Sequence, residues 1–180
     1  LLRGLINDLI HGAHDLAQLQ RVWRDLDPTE RLMTDIAVQA ARRVLDLGGE
    51  GALACGWLLP VWEANHDRLA TLNDVQRVRL VRTVEDAVAA ADEATERDWL
   101  ARIEAAQQRH PRDSSLQYLA GKACMNRQLW GKALQLLTQA AAGLPDAKLR
   151  SRAWRALAEL AEQRGDAEGA ARAWKAAASG

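Results

Sequence analysis

With 180 residues and 24 basic against 24 acidic side chains, for a formal net charge of +0, the chain has the length of one domain or of a run of small repeats, and its charge balance argues against general affinity for nucleic acid or other polyanions. Hydrophobic residues at 48% and charged residues at 27% are globular rather than disordered composition, and a continuous core can form at this length without disulfides or a structural metal. Val, Ile and Thr are scarce beside Ala, which disfavours a β architecture.

Apolar residues recur at helical spacing almost throughout, and about ten helices joined by short turns are expected. The chain opens Leu1-Leu2-Arg3 without Met and without a signal-peptide pattern, so it reads as a piece of a longer protein. The apolar start from Leu1 to Ile10 is too short and too interrupted to span a bilayer. Leu5–Leu26 reads as the remains of a helix pair, with Trp23 as its large packing residue. Asp27-Pro28-Thr29-Glu30 has the order of an N-cap, a first-turn Pro and a Glu at the third helical position. It opens a second pair, Thr29–Gly48 with Glu50–Asn65, whose stripe is Met33, Ile36, Ala37, Ala40, Val44 and Leu47. Gly48-Gly49 suits a positive φ after a helix end. Either Ala52 or Ala54 can be the small residue of the second helix, and Pro60 is expected to kink or end that helix. Asp74 to His110 reads as two longer helices broken near Asp92–Thr95. Pro111 and Pro145 end the helices before them, and Gly165 with Asp166 supplies a stop followed by a cap.

The last third of the chain repeats. Counting Ser114 as position 1, Gly121 falls at 8, Ala133 at 20, Leu137 at 24, Ala140 at 27 and Pro145 at 32. Counting from Ser151, Trp154 falls at 4, Leu157 at 7, Ala158 at 8, Ala170 at 20, Trp174 at 24 and Ala177 at 27. These are the small and large positions of the roughly 34-residue tetratricopeptide pattern. Small residues at 8 and 20 let two helices approach, and bulky ones at 4, 7 and 24 fill the surrounding gaps. The first repeat departs from the pattern at Gln117 and Cys124, where Trp and Tyr are usual. The expected fold is all-α, an α-solenoid of tetratricopeptide-like antiparallel helix pairs. Residues 1–112 form divergent helical repeats, and residues 113–180 form two regular repeats stacked on the same solenoid.

Leu129-Trp130-Gly131-Lys132-Ala133, preceded by Ala120-Gly121-Lys122-Ala123-Cys124, resembles the most distinctive segment of the HemY C-terminal tetratricopeptide family of proteobacteria. Trp23-Arg24-Asp25-Leu26-Asp27-Pro28, Asp67-Arg68-Leu69, and Glu104 followed by His110-Pro111-Arg112-Asp113 extend the resemblance in the family's order. The family usually has Trp-Leu two and three residues after that Glu; Ala106-Gln107 stand there instead, and Trp99 is expected to fill part of the space. The resemblance implies a bacterial inner-membrane protein associated with late porphyrin and haem biosynthesis. This stretch would be its soluble domain on the cytoplasmic side, tethered by membrane segments outside it, with membrane-associated haem-biosynthesis enzymes as partners. The flavin-dependent oxidase that shares the family's name is not implied, because no dinucleotide fingerprint is present.

Catalytic motifs are missing: there is no nucleophile elbow, zinc-binding His-Glu-x-x-His, phosphate-cradling loop or paired Cys. The reading is therefore not an enzyme, with no metal and no resident cofactor. His11 and His14 have ligand spacing but no further ligands nearby in sequence. Cys55 and Cys124, on apolar helix faces, read as small hydrophobes, and neither belongs to a haem-attachment or haem-regulatory motif. His66 and His110 are the axial candidates if haem binds directly, which defines the alternative reading, a carrier of haem or a tetrapyrrole precursor. Most of the seven Trp read as packing residues, Trp62 near Pro60 being the least accounted for. Arg42-Arg43, Arg77-Arg79-Arg82 and Arg150-Arg152-Arg155 read as solvated faces, with anionic lipid headgroups as their other use.

The preferred site is the concave groove that stacked pairs create, lined by first-helix positions 2, 5, 9 and 12. These are Ser115, Tyr118, Lys122 and Met125, then Arg152, Arg155, Glu159 and Glu162, with Asn126 beside them. Tyr118, lying opposite the apolar stripe, is expected to be a contact residue. Lys122 and Arg155 are expected to clamp a peptide carboxylate. The function expected is that of a scaffold binding protein partners through this groove.

Overall fold

The computed structural model describes residues 2–179, and no strand occurs among them. The helices are α1 (Leu2–Gly12), α2 (Leu16–Asp25), α3 (Pro28–Arg31), α4 (Thr34–Asp46), α5 (Gly51–Asn65), α6 (Asp74–Ala89), α7 (Glu93–Arg109), α8 (Ser114–Asn126), α9 (Trp130–Gly143), α10 (Ala147–Gln163) and α11 (Ala167–Ser179). A single 3-10 turn covers Leu69–Thr71. The chain divides into two compact units, and the division falls inside α7. One unit runs to Arg68 and includes Val75–Arg97; the other comprises Leu69–Asp74 and the residues from Asp98 onward.

In the first unit, Ile6 and Ile10 of α1 are buried while Leu2, Leu5 and Leu9 stay exposed. Trp23 of α2 packs as expected: its ring stacks on Trp57 of α5 with centroids 4.5 Å apart. The cap at Asp27 also forms. Its side chain accepts from the Glu30 N–H at 2.8 Å, and the Glu30 carboxylate accepts from the Asp27 N–H at 2.8 Å. The helix that it opens is only α3, however, not one running to Gly48. Arg31 donates to the carbonyls of Trp23 and Arg24 at 3.1 and 2.9 Å, which satisfies the end of α2. The chain then leaves helical geometry at Met33 and restarts as α4, burying Ile36, Ala37, Ala40 and Val44.

Helix α5 is apolar around most of its circumference, with Gly51, Ala54, Cys55, Trp57, Leu58, Val61 and Trp62 all buried, as befits a helix enclosed on several sides. Trp62 is therefore a core residue. Ala54, fully buried, is the small residue of this helix; Ala52 is only half-buried. The helix continues through Pro60 to Asn65, contrary to an early end there. Pro60 and Gly56, one turn before it, both face solvent, so the carbonyl deprived of its N–H partner is open to water.

The second unit carries two helical hairpins, α8/α9 and α10/α11, with α10 also packed on α9. Gly121 sets the closeness of the first hairpin. A Cβ there would lie 2.7 Å from Leu137 Cγ and 3.3 Å from Leu136 Cβ, well inside the carbon–carbon optimum of about 3.5–4.0 Å. Pro111 and Pro145 follow the ends of α7 and α9.

One turn geometry recurs in three hairpins. The N–H of Gly49 reaches the Val44 carbonyl at 2.8 Å, that of Leu129 reaches Cys124 at 2.8 Å, and that of Asp166 reaches Ala161 at 2.9 Å. The residue before each has positive φ: Gly48 at 77°, Gln128 at 63° and Gly165 at 77°. These are Schellman closures, and they extend the hairpin pattern to α4/α5 in the first unit. Four residues separate α4 from α5, against three in each of the other turns. That extra residue is why the register of Ala54 was ambiguous in the sequence.

Candidate functional site

Helices α8 and α10 supply the residues read as a groove, and two of them, Ser115 and Tyr118, are corrected by the structure. Tyr118 is fully buried, as are its neighbours Leu116 and Leu119, and Ser115 and Gln117 are also enclosed. The polar side of α8 is covered by a neighbouring helix. Arg152 of α10 donates its Nε–H to the Tyr118 hydroxyl at 3.2 Å. Tyr118 is thus part of a packed polar seam and not an exposed contact. Lys122, Met125 and Arg152 are half-buried, and Asn126, Arg155 and Glu159 are exposed. Arg155 and Glu159, one turn apart on α10, have no hydrogen-bond or ion-pair partner among the described residues. Glu162 is engaged, accepting the Trp174 indole N–H at 2.6 Å.

Residues that carried the family resemblance meet at a second point. Glu104 of α7 accepts from Lys132 Nζ of α9 at 2.8 Å, and Cys124 Sγ of α8 lies 3.8 Å from the same oxygen. Burial, followed by the Glu104 charge, pushes the Cys124 thiol up to about 11, which suppresses thiolate chemistry near neutrality. The hydrogen bond to Glu104 raises the pKa of Lys132. The arrangement pins three helices together and offers no nucleophile.

The histidines have local partners. His66 Nδ1 lies 3.0 Å from Asp67 Oδ1, and its ring sits 6.0 Å from that of Trp62. The His110 N–H closes the end of α7 on the Ala106 carbonyl at 3.0 Å. His11 Nε2 pairs with Gln39 Oε1 at 3.1 Å, while His14 is exposed. No group of three or more metal-ligating side chains converges among the described residues. The Trp set divides. Trp57, Trp62 and Trp99 are buried and Trp23 and Trp154 half-buried, but Trp130 and Trp174 are each 38% exposed. Packing therefore explains five of them. Trp130 borders an open recess of about 340 Å³ with Leu134, Leu160 and Arg164, whereas Trp174 lies on α11, whose main neighbour is α10 alone.

The arginine clusters are mostly not solvated faces. Arg77 is buried, and Arg150 donates to the Leu144 carbonyl at 3.0 Å, closing the end of α9. Arg42 and Arg43 of α4 line a cavity together with Arg79 and Arg82 of α6. Only the tertiary approach of α4 and α6 reveals this convergence; the sequence signal was a surplus of arginine at positions one residue and one turn apart.

No protein-family model matches the chain, and no curated protein is significantly similar to it. No helix among the described residues is long and apolar enough to cross a membrane.

Proposed function

We propose that the chain is a tetratricopeptide-like helical scaffold that binds a partner segment along the first helices of its C-terminal repeats. The observation that carries this reading is the pair of free, opposite charges Arg155 and Glu159 on α10, next to a hairpin whose turn recurs along the chain. Exposed charges set on a rigid helix cost little to hold in place, and they select a partner by complementarity. Asn126 and Lys122 on α8 complete the surface; Tyr118 and Arg152 position the two helices that bear it. The HemY-like residues support a place among membrane-associated haem-biosynthesis enzymes, with the inner-membrane tether raising effective concentration.

The test is a photo-crosslinking residue at Glu159 in the intact protein, with Lys175 on α11 as control. A discrete adduct from the α10 position, competed by excess unlabelled chain and lost when Arg155→Glu is added, supports the scaffold. Equal adducts from Lys175 overturn the surface assignment. Titration with haem provides the other arm: a saturable Soret shift lost in His66→Ala or His110→Ala would replace the scaffold by a tetrapyrrole carrier.

A further inference from the structure

The first unit contains a cavity of about 290 Å³ between α4 and α6, reached by His11 of α1. Four of its lining residues are Arg42, Arg43, Arg79 and Arg82, and Asp46 is the only acid among them. Arg42 is already committed, to Asp86 at 2.9 Å and to the Thr83 hydroxyl at 3.2 Å. Arg43 donates one Nη to the Ala13 carbonyl at 2.8 Å. Arg79 and Arg82 have no ion-pair or hydrogen-bond partner among the described residues. The Nε atoms of Arg43 and Arg82 are buried and unpaired as well.

Guanidinium groups remain protonated in proteins, so this charge cannot be relieved by losing a proton. Set against Asp46 and Asp86, the four arginines leave an excess of two positive charges around one concavity. Buried donors without acceptors cost free energy and are uncommon in native proteins. An oxyanion in the cavity would offset the excess positive charge, because planar guanidinium forks match the oxygens of carboxylate or phosphate groups. Val38 and the arginine methylenes supply an apolar wall, and a smaller recess of about 30 Å³ borders Arg79 with Thr34, Gln76 and Asp35, whose carboxylate is paired with Arg3.

We infer that this cavity binds a small dianionic ligand, bearing two carboxylates or one phosphate group, through Arg79, Arg82 and Arg43. The inference does not depend on the partner surface of α8 and α10. A partly enclosed space of this size suits a small molecule better than a peptide chain.

The experiment is isothermal titration of the 180-residue chain at pH 8 and low ionic strength with inorganic phosphate and, separately, succinate. Sodium chloride at matched ionic strength is the control. The expected result is saturable binding of at least one probe, one per chain, weakened roughly tenfold or more by Arg79→Met or Arg82→Met. These substitutions keep the aliphatic stem, and Arg79 is exposed, so its variant retains the fold. Without anion, both variants are expected to melt no lower than the parent chain, since an unpaired cation has been removed. Binding of phosphate alone assigns a phosphoryl ligand, and binding of succinate alone a dicarboxylate. The inference is overturned if neither probe binds saturably or if both variants bind as the parent does.

Discussion

Replacing Gly121 by Ala tests the close approach of α8 and α9. In a helix with room for a methyl group, this change is stabilising by up to about 1 kcal/mol, because Ala loses less backbone entropy. Here the new Cβ would meet Leu137 Cγ at 2.7 Å, Leu137 Cδ2 at 3.0 Å and Leu136 Cβ at 3.3 Å. Restoring a normal separation requires movement of about 1 Å, and overpacking of this kind costs about 1–3 kcal/mol. Subtracting the propensity gain leaves a net loss of about 1 kcal/mol, or about 2–4 °C in Tm for a chain of this size. Gly131→Ala is the matched control in the same hairpin, since its Cβ would meet nothing within 4 Å. It is expected to leave Tm unchanged or raise it. Leu137→Ala alone should cost about 2–5 kcal/mol, but the new methyl of Gly121→Ala fills part of that gap, so the double variant should recover about 1 kcal/mol relative to the sum. Thermal melts of the parent and the four variants decide the matter. If Gly121→Ala stabilises as Gly131→Ala does, with no coupling to Leu137, the two helices do not approach as described.

Gln128 occupies the left-handed position that Gly48 and Gly165 occupy in the equivalent turns, so Gln128→Gly should raise stability by up to about 1 kcal/mol, read as a higher denaturation midpoint at unchanged slope. Tyr118→Phe should cost about 1 kcal/mol by removing the hydroxyl that accepts from Arg152 Nε, whereas Arg155→Glu should stay within about 0.5 kcal/mol of the parent; denaturant melts separate the two roles. Cys124 has a folded pKa of about 11 against an ordinary 9.0. The native state therefore holds this proton more tightly, and stability that is complete below pH 9 should fall as pH rises towards 11. The raised pKa of Lys132 acts in the same direction. Cys124→Ala should flatten part of that alkaline loss in melts between pH 8 and 11, and alkylation of native Cys124 at pH 8 should be far slower than in the denatured chain.

Local signals were read well from sequence where the physics is local. The Asp27 cap, the helix stops at Pro111 and Pro145, the positive φ of Gly48 and Gly165, and the break before Glu93 all depend on a few adjacent residues. Gly121 against Leu137 was legible because a repeat pattern states which small and large residues meet. The failures share a different cause. Tyr118 lies opposite the apolar stripe of its own helix, and periodicity cannot show that a neighbouring helix covers that side. Pro60 does not end its helix, the outcome that depends on Gly56 and on the direction of solvent. Arg42, Arg43, Arg79 and Arg82 lie on two helices far apart in sequence, so their meeting is a tertiary fact. Arg155 and Glu159 were legible as an exposed pair because an amphipathic helix places them away from its stripe.

Hydrogen–deuterium exchange of the chain, with and without the partner captured through Glu159, tests the scaffold reading most directly. The account predicts added protection in peptides spanning α8 and α10, little change in α9 and α11, and loss of the footprint in the Arg155→Glu variant at unchanged Tm. Protection centred on α9 and α11, or a footprint that survives Arg155→Glu intact, would contradict it.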